Sequence, residues 1–150
     1  MGEKLLEVKN LTIGFPDETG MRTVVDDVSF DIGYGEIVGI VGESGSGKSM
    51  TVQTIMGLKN RDAHISSGEI LFNGKDLLKI SDEELSKVQG NDMSMVFQEP
   101  MTSLNPVKKI GWQVAENLKI HTPMPDEEIH NRVVEILANV GLPTPEALCS

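Results

Sequence analysis

The stretch that decides the fold runs Ile37-Val38-Gly39-Ile40-Val41-Gly42-Glu43-Ser44-Gly45-Ser46-Gly47-Lys48-Ser49. Its first five residues form a short run that is apolar throughout, the pattern of a strand buried on both faces of a parallel sheet. The run passes straight into a Gly/Ser loop, Gly42 to Gly47, and the following residues predict a helix from Lys48 to Met56 closed by Gly57. Residues 42–49 match G-x-x-x-x-G-K-[ST], the phosphate-binding loop pattern. The chemistry needs these residue types. Successive backbone N–H groups wrap the phosphates, and glycines let the backbone come close without a Cβ in the way. The helix behind the loop offers its free amides and the positive end of its dipole. Lys48 places an ammonium on the β/γ-phosphates, and the Ser49 hydroxyl is a Mg²⁺ ligand. The alternative is a Gly/Ser-rich turn with a solvated lysine. The readable strand before and helix after argue against it.

Outward from this loop, the amino-terminal side reads as β-rich. Leu6 to Phe15 alternates apolar and polar residues, Pro16 to Gly20 is turn-like, and Thr23 to Ile32 alternates again through Val24, Val28, Phe30 and Ile32. On the carboxyl side, Glu69 to Phe72 reads as a strand, and Asn73-Gly74 signals a tight turn. Ser81-Asp82-Glu83-Glu84 is a capping box that starts a short helix ending near Gly90. Met93 to Phe97 is a further strand candidate ending at Gln98-Glu99-Pro100. The chain then turns helical. Ile110, Val114 and Leu118 share one face. Pro125 and Asp126 open a second helix, with Ile129, Val133, Ile136, Leu137 and Val140 along one side. Gly141 and Pro143 stop it.

Composition excludes several classes of function. The 150 residues are 39% hydrophobic and 24% charged, which suits one modest folded domain. Acidic residues outnumber basic ones 23 to 13, for a net charge of −10. The excess holds in both halves, and no Lys/Arg stripe is present to neutralise a phosphate backbone. Nucleic-acid binding through a basic face is therefore not expected, nor is adsorption to anionic lipid. A single nucleotide, held by backbone amides, remains compatible. Cys149 is the sole cysteine, so no internal disulfide and no cysteine-based zinc site can form. No run has the length of a membrane span, and the amino terminus lacks a signal-peptide pattern. These features predict a soluble, intracellular protein.

The phosphate loop alone defines a superfamily that includes kinases, GTPases, helicases and transport ATPases. Three stretches go further: Val25 to Phe30 with Gly35 to Ser49; Gly68 to Leu77; and Met95-Val96-Phe97-Gln98-Glu99-Pro100-Met101-Thr102-Ser103-Leu104-Asn105-Pro106. Together they resemble the ATP-binding subunit of an ABC transporter, and the last resembles its oligopeptide/dipeptide importer branch, which includes nickel and glutathione importers. The resemblance extends from Leu5 to about Pro145.

It implies an α/β P-loop NTPase fold of ABC type, incomplete, with an amino-terminal antiparallel β part and the start of a helical subdomain. Residues 1–98 correspond to the ATP-binding core and 99–150 to part of the helical subdomain. ATP and Mg²⁺ are the implied cofactors. Gly42, Glu43, Ser44, Gly45, Ser46, Gly47, Lys48, Ser49 and Met50 would hold the nucleotide. Gln98 falls at the Q-loop position, where its amide oxygen can reach Mg²⁺ and help orient the attacking water. Lys48 and Gln98 are thus the candidate catalytic residues, and Ser49 and Gln98 the metal ligands. Phe15 falls where the family places an aromatic residue that stacks on adenine; a loop or core aromatic is the alternative.

Residues 99–145 correspond to the surface that docks on membrane permease subunits. A second ATP-binding subunit would complete a dimer at the cytoplasmic face of the membrane. Trp112 and the Ile110/Val114/Leu118 stripe could belong to the docking surface, but subdomain core is the preferred reading. Met93, Met95 and Met101 are expected to fill core gaps. His64, His121 and His130 receive no role. The Asp126-Glu127-Glu128 cluster suits the first turn of a helix.

The family's ATPase site needs further parts: a Leu-Ser-Gly-Gly-Gln-like signature, an apolar strand ending in Asp-Glu, and a switch histidine. None occurs in these 150 residues. The expectation is that this chain alone binds ATP without hydrolysing it. The apolar strand at Ile37–Val41 should lack neighbours, giving low solubility or a molten character. The alternative function is a catalytically incompetent remnant or nucleotide-binding-only module. A small-molecule kinase is disfavoured by the Gln98–Pro106 stretch.

Overall fold

The computed structural model describes residues 3–18, 20–58, 61–98 and 104–149. The chain forms two compact units, Met1–Ser86 and Lys87–Ser150.

The first unit is built on a four-stranded antiparallel sheet in the order β2-β1-β3-β4. Strand β1 (Lys4–Asp17) lies between β2 (Gly20–Gly33) and β3 (His64–Phe72), and β4 (Lys75–Asp76) pairs with β3. Alternation puts Leu6, Val8, Leu11 and Ile13 of β1 in the core with Val25, Ile70, Phe72 and Leu77. Helix α1 (Lys48–Ile55) adds Thr51, Thr54 and Ile55 to the buried set. The Asn73-Gly74 turn is left-handed at both residues, with φ of 49° and 76°. That is the type I′ geometry which matches strand twist. The capping box is present: the Glu84 amide donates to Ser81 Oγ and the Ser81 amide to Glu84 Oε2, both at 3.3 Å. It opens α2 (Asp82–Val88).

Three features of the expected strands and turns differ. The turn expected over Pro16–Gly20 is shorter, because Pro16 pairs with Met21 and Asp17 with Gly20. Pairing of β1 with β3 ends at Gly14, so Pro16 has a ladder on one side only, where a missing N–H is tolerated.

The second difference is at Ile37–Val41, which forms no strand. Its exposures alternate: Ile37 is 99% and Val41 93% exposed, whereas Val38 is 39% and Ile40 44%. Residues 38–41 line a cleft with Val25, Val28 and Phe30 of β2, Val38 and Ile40 being its less exposed side chains. The segment thus keeps the two-residue period of a strand but has no ladder partner among the described residues, and sheet structure requires one.

The third is Met93–Phe97, which also forms no strand. It makes one isolated bridge, Gln89 to Met93, and Val96 is 93% exposed. Met93 and Met95 are half-buried. Residues 99–103, including Met101 of the expected core, lie outside the described residues.

The second unit is helical, with α3 (Ile110–His121), α4 (Asp126–Asn139) and α5 (Pro145–Cys149). Ile129, Val133 and Leu137 form its buried centre, and Ile110, Val114, Ala115, Leu118, Met124 and Leu148 pack on it. The α3 stripe is therefore subdomain core. Val140 departs from the expected face: it lies at the end of α4 and is 67% exposed. Helix α5 was not anticipated. It crosses α3 at Gly111, where a Cβ would stand 2.5 Å from Cys149 Cα. Trp112 faces out, with the Lys108 ammonium 4.9 Å from its ring centroid. Among the described residues, no helix is long and apolar enough to cross a membrane.

Candidate phosphate-binding site

The site is built where the Gly/Ser loop meets α1. Gly47 is the N-cap of α1, with φ of 87°, and no side chain caps the helix. The first turn carries no acidic residue. The Thr51 amide donates to Gly47 O at 2.8 Å and the Thr51 hydroxyl to the same oxygen at 3.0 Å. The amides of Lys48, Ser49 and Met50 precede the first i→i−4 bond of the helix, so they are directed out of it. Amides so placed, without a capping oxygen, suit an anion.

Lys48 is folded back across the loop. Its Nζ donates to Gly42 O at 2.8 Å, to Glu43 O at 2.7 Å and to Ser46 Oγ at 3.3 Å. The Ser46 amide donates to Glu43 O at 3.2 Å, closing a tight turn inside the loop. The result is a small ring of backbone with a cation at its centre. Gly45, Ser46, Gly47, Lys48, Ser49, Met50 and Val24 line a cavity of about 210 Å³ beside it. Close packing demands glycine here. A Cβ on Gly47 would lie 2.9 Å from Val25 Cγ2 and 3.0 Å from Val24 O, and one on Gly42 would lie 2.7 Å from Ser46 Oγ. The donor set fits a phosphate group: free helix amides, a lysine ammonium and a hydroxyl at Ser49, with no carboxylate in the helix turn.

The fold brings residues 42–50 together in the first unit. It places Phe15 near the end of β1, half-buried and opposite Arg22. Phe15 does not line the cavity beside α1. Gln98 is exposed and belongs to the second unit. Sequence reasoning missed the part played by Val24 and Val25, which press on Gly47. The signal was available: two adjacent valines break the alternation of β2.

A glycine-rich loop closing on the uncapped end of a helix is an arrangement suited to binding an anion. The chain belongs to the ABC transporter family, whose sequence model matches residues 25–148. It is 47% identical over 145 residues to the dipeptide transport ATP-binding protein DppD of Lactococcus lactis subsp. cremoris, covering 96% of this chain and 42% of that protein. It is 46% identical over 144 residues to the oligopeptide transport ATP-binding protein OppD of Bacillus subtilis, covering 95% of this chain and 40% of that one. The chain thus spans about two-fifths of the length of these relatives. Among solved structures it resembles the dimeric bacterial ABC transporter cassette MJ0796, with a TM-score of 0.77 and 27% identity over 93% of this chain and 58% of that one. The same cassette in a post-hydrolysis state, bound to ADP and Pi, matches with a TM-score of 0.75.

Proposed function

We propose that this chain is the nucleotide-binding part of an ATP-binding subunit in an importer of peptides or similar solutes. The observation that carries the proposal is the uncapped amino end of α1, where the Gly42–Gly47 loop and Lys48 present donors to an anion. The identity to dipeptide and oligopeptide transport proteins supports the choice of branch.

On this reading ATP is the ligand. The amides of residues 45–50 bind its phosphates. Lys48 exchanges its bonds to the Gly42 and Glu43 carbonyls for bonds to phosphate oxygens, and the Ser49 hydroxyl would be a Mg²⁺ ligand. Mg²⁺ supplies charge neutralisation on the phosphates when bound. Phe15 stacks on the base. Residues 1–98 serve the nucleotide, and residues 99–145 dock on permease subunits at the cytoplasmic face of the membrane. A second ATP-binding subunit completes the assembly. The 150 residues by themselves carry no Asp-Glu strand end and no signature loop. For this chain alone we therefore propose nucleotide binding without turnover.

Two experiments test the proposal. Uptake of a labelled peptide by cells carrying the natural gene should be lost with Lys48→Ala; unchanged uptake would refute the transport role. The purified 150-residue chain should show no Mg²⁺-dependent ATP turnover above background. Turnover that Lys48→Ala abolishes would refute binding without hydrolysis.

A further inference from the structure

Three strands change phase together along one line across the sheet. From Val8↔Phe30 to Leu11↔Val28, β1 advances three residues while β2 advances two. From Leu11↔Val28 to Ile13↔Val25, β1 advances two while β2 advances three. Between Val8 and Ile13 each strand therefore holds one extra residue, and the two compensate; β2 then holds a second, Val24, between Ile13↔Val25 and Gly14↔Thr23. Strand β3 does the same against β1: Lys9↔Glu69, Thr12↔Ser67 and Ile13↔Ile65 again show one gain and one return. The residues on this line have left-handed backbones: Asn10 with φ of 48°, Asp27 with φ of 48°, and Gly68 with φ of 116°. Gly68 is held close, since a Cβ there would lie 2.7 Å from Leu11 Cα. Side chains tie the line. Asn10 Nδ2 donates to Asp27 Oδ1 at 2.8 Å, the Asn10 amide to Ser29 Oγ at 2.8 Å, and the Asp27 amide to Thr12 Oγ1 at 3.1 Å.

Asp27 on this line is two residues from Val25 and three from Val24, the residues that leave no room for a Cβ on Gly47. Without the extra residue in β2, the strand beyond it would slip by one. Every side chain there would then turn to the opposite face. Val25, now 3% exposed, would leave the core, and the Val24 carbonyl and Val25 methyl would no longer bear on Gly47. We infer that the left-handed backbones at Asn10 and Asp27 position the phosphate-binding loop, acting through Val24 and Val25 on Gly47. The inference rests on the proposal that the loop binds nucleotide, and it deepens that proposal.

The test uses the 150-residue chain with two readouts. One is the NMR position of the Gly47 and Lys48 amides without ligand; the other is affinity for ADP. Asp27→Val, which resists the left-handed backbone, should move both amides and weaken ADP about tenfold. Asp27→Gly, which accepts that backbone, should leave the amides in place and ADP affinity within about twofold. Gly74→Val, in the turn at the far edge of the same sheet, should lower the melting temperature yet leave both readouts unchanged. The inference is overturned if Asp27→Val leaves the amides and the affinity as they are, or if Gly74→Val changes them equally. Should Asp27→Val not fold, hydrogen exchange in the natural chain decides. ADP should slow exchange at the Asp27 amide more than at the Leu77 amide, and equal slowing would overturn the inference. A natural chain that binds no ADP would remove the proposed ligand, while the amide positions would still test the positioning role.

Discussion

At the scale of single residues, the site is set by how closely backbone can approach backbone. Gly47 combines a φ of 87° with Val25 Cγ2 and Val24 O only 2.9 and 3.0 Å from where a Cβ would stand, inside ordinary contact distance. Gly47→Ala is expected to destabilise the chain by about 1–2 kcal/mol from the backbone alone. The valine contacts add to that. A melting temperature equal to that of the natural chain would contradict this packing. Lys48 shows what sequence can and cannot tell. The pattern G-x-x-x-x-G-K-[ST] singles out the lysine as a candidate phosphate ligand. It does not say that the ammonium rests on Gly42 O and Glu43 O, because that choice depends on how the loop closes. Val24 and Val25 went unread for a related reason. Their contact with Gly47 joins residues more than twenty positions apart, and only the fold brings them together.

At the scale of elements, legibility followed local signals. The capping box at Ser81 and the tight turn at Asn73-Gly74 are encoded within four residues, and both are present. Strands that need distant partners were harder to read. Apolar composition at Ile37–Val41 and Met93–Phe97 suggested strands, but composition cannot supply a ladder partner, and none pairs with them among the described residues. Helix α5 was missed because five residues carry too little periodicity.

The β3–β4 hairpin also has an electrostatic lock. Burial would raise the Asp76 pKa. The hydrogen bond from Lys79, the amides of Leu78 and Ile70, and the Lys79 charge outweigh burial and hold the carboxyl below its ordinary value of 3.8. Lys79 Nζ lies 2.8 Å from Asp76 Oδ2. A lowered folded-state pKa contributes stability that is present above the ordinary value and lost as pH falls through the lowered one. The melting-temperature gap between the natural chain and Asp76→Asn should therefore be full at neutral pH and shrink below pH 3.8. A gap that stays constant through that range would show that the carboxylate charge contributes nothing.

At the scale of the whole molecule, both units expose large apolar side chains. Ile37, Val41 and Val96 are each more than 90% exposed, an unusual density of bare β-branched residues. An unpaired segment of this kind invites intermolecular pairing. The natural chain is expected to self-associate at micromolar concentration in sedimentation experiments, and Ile37→Lys with Val41→Lys should reduce that association. A monomer with a sharp cooperative melt would contradict the expectation. The antiparallel part and the family were legible because the deciding motifs are contiguous in sequence. Two parts were also expected, 1–98 and 99–150, and the compact units run Met1–Ser86 and Lys87–Ser150.

The central claim is that Gly42–Met50 forms a working phosphate-binding site in this chain. The most direct measurement is calorimetric titration of the 150-residue chain with ATP and Mg²⁺, beside Lys48→Ala. Saturable binding at one site, lost or weakened at least about tenfold in Lys48→Ala, is the predicted result. No binding by the natural chain, or equal binding by Lys48→Ala, would contradict it.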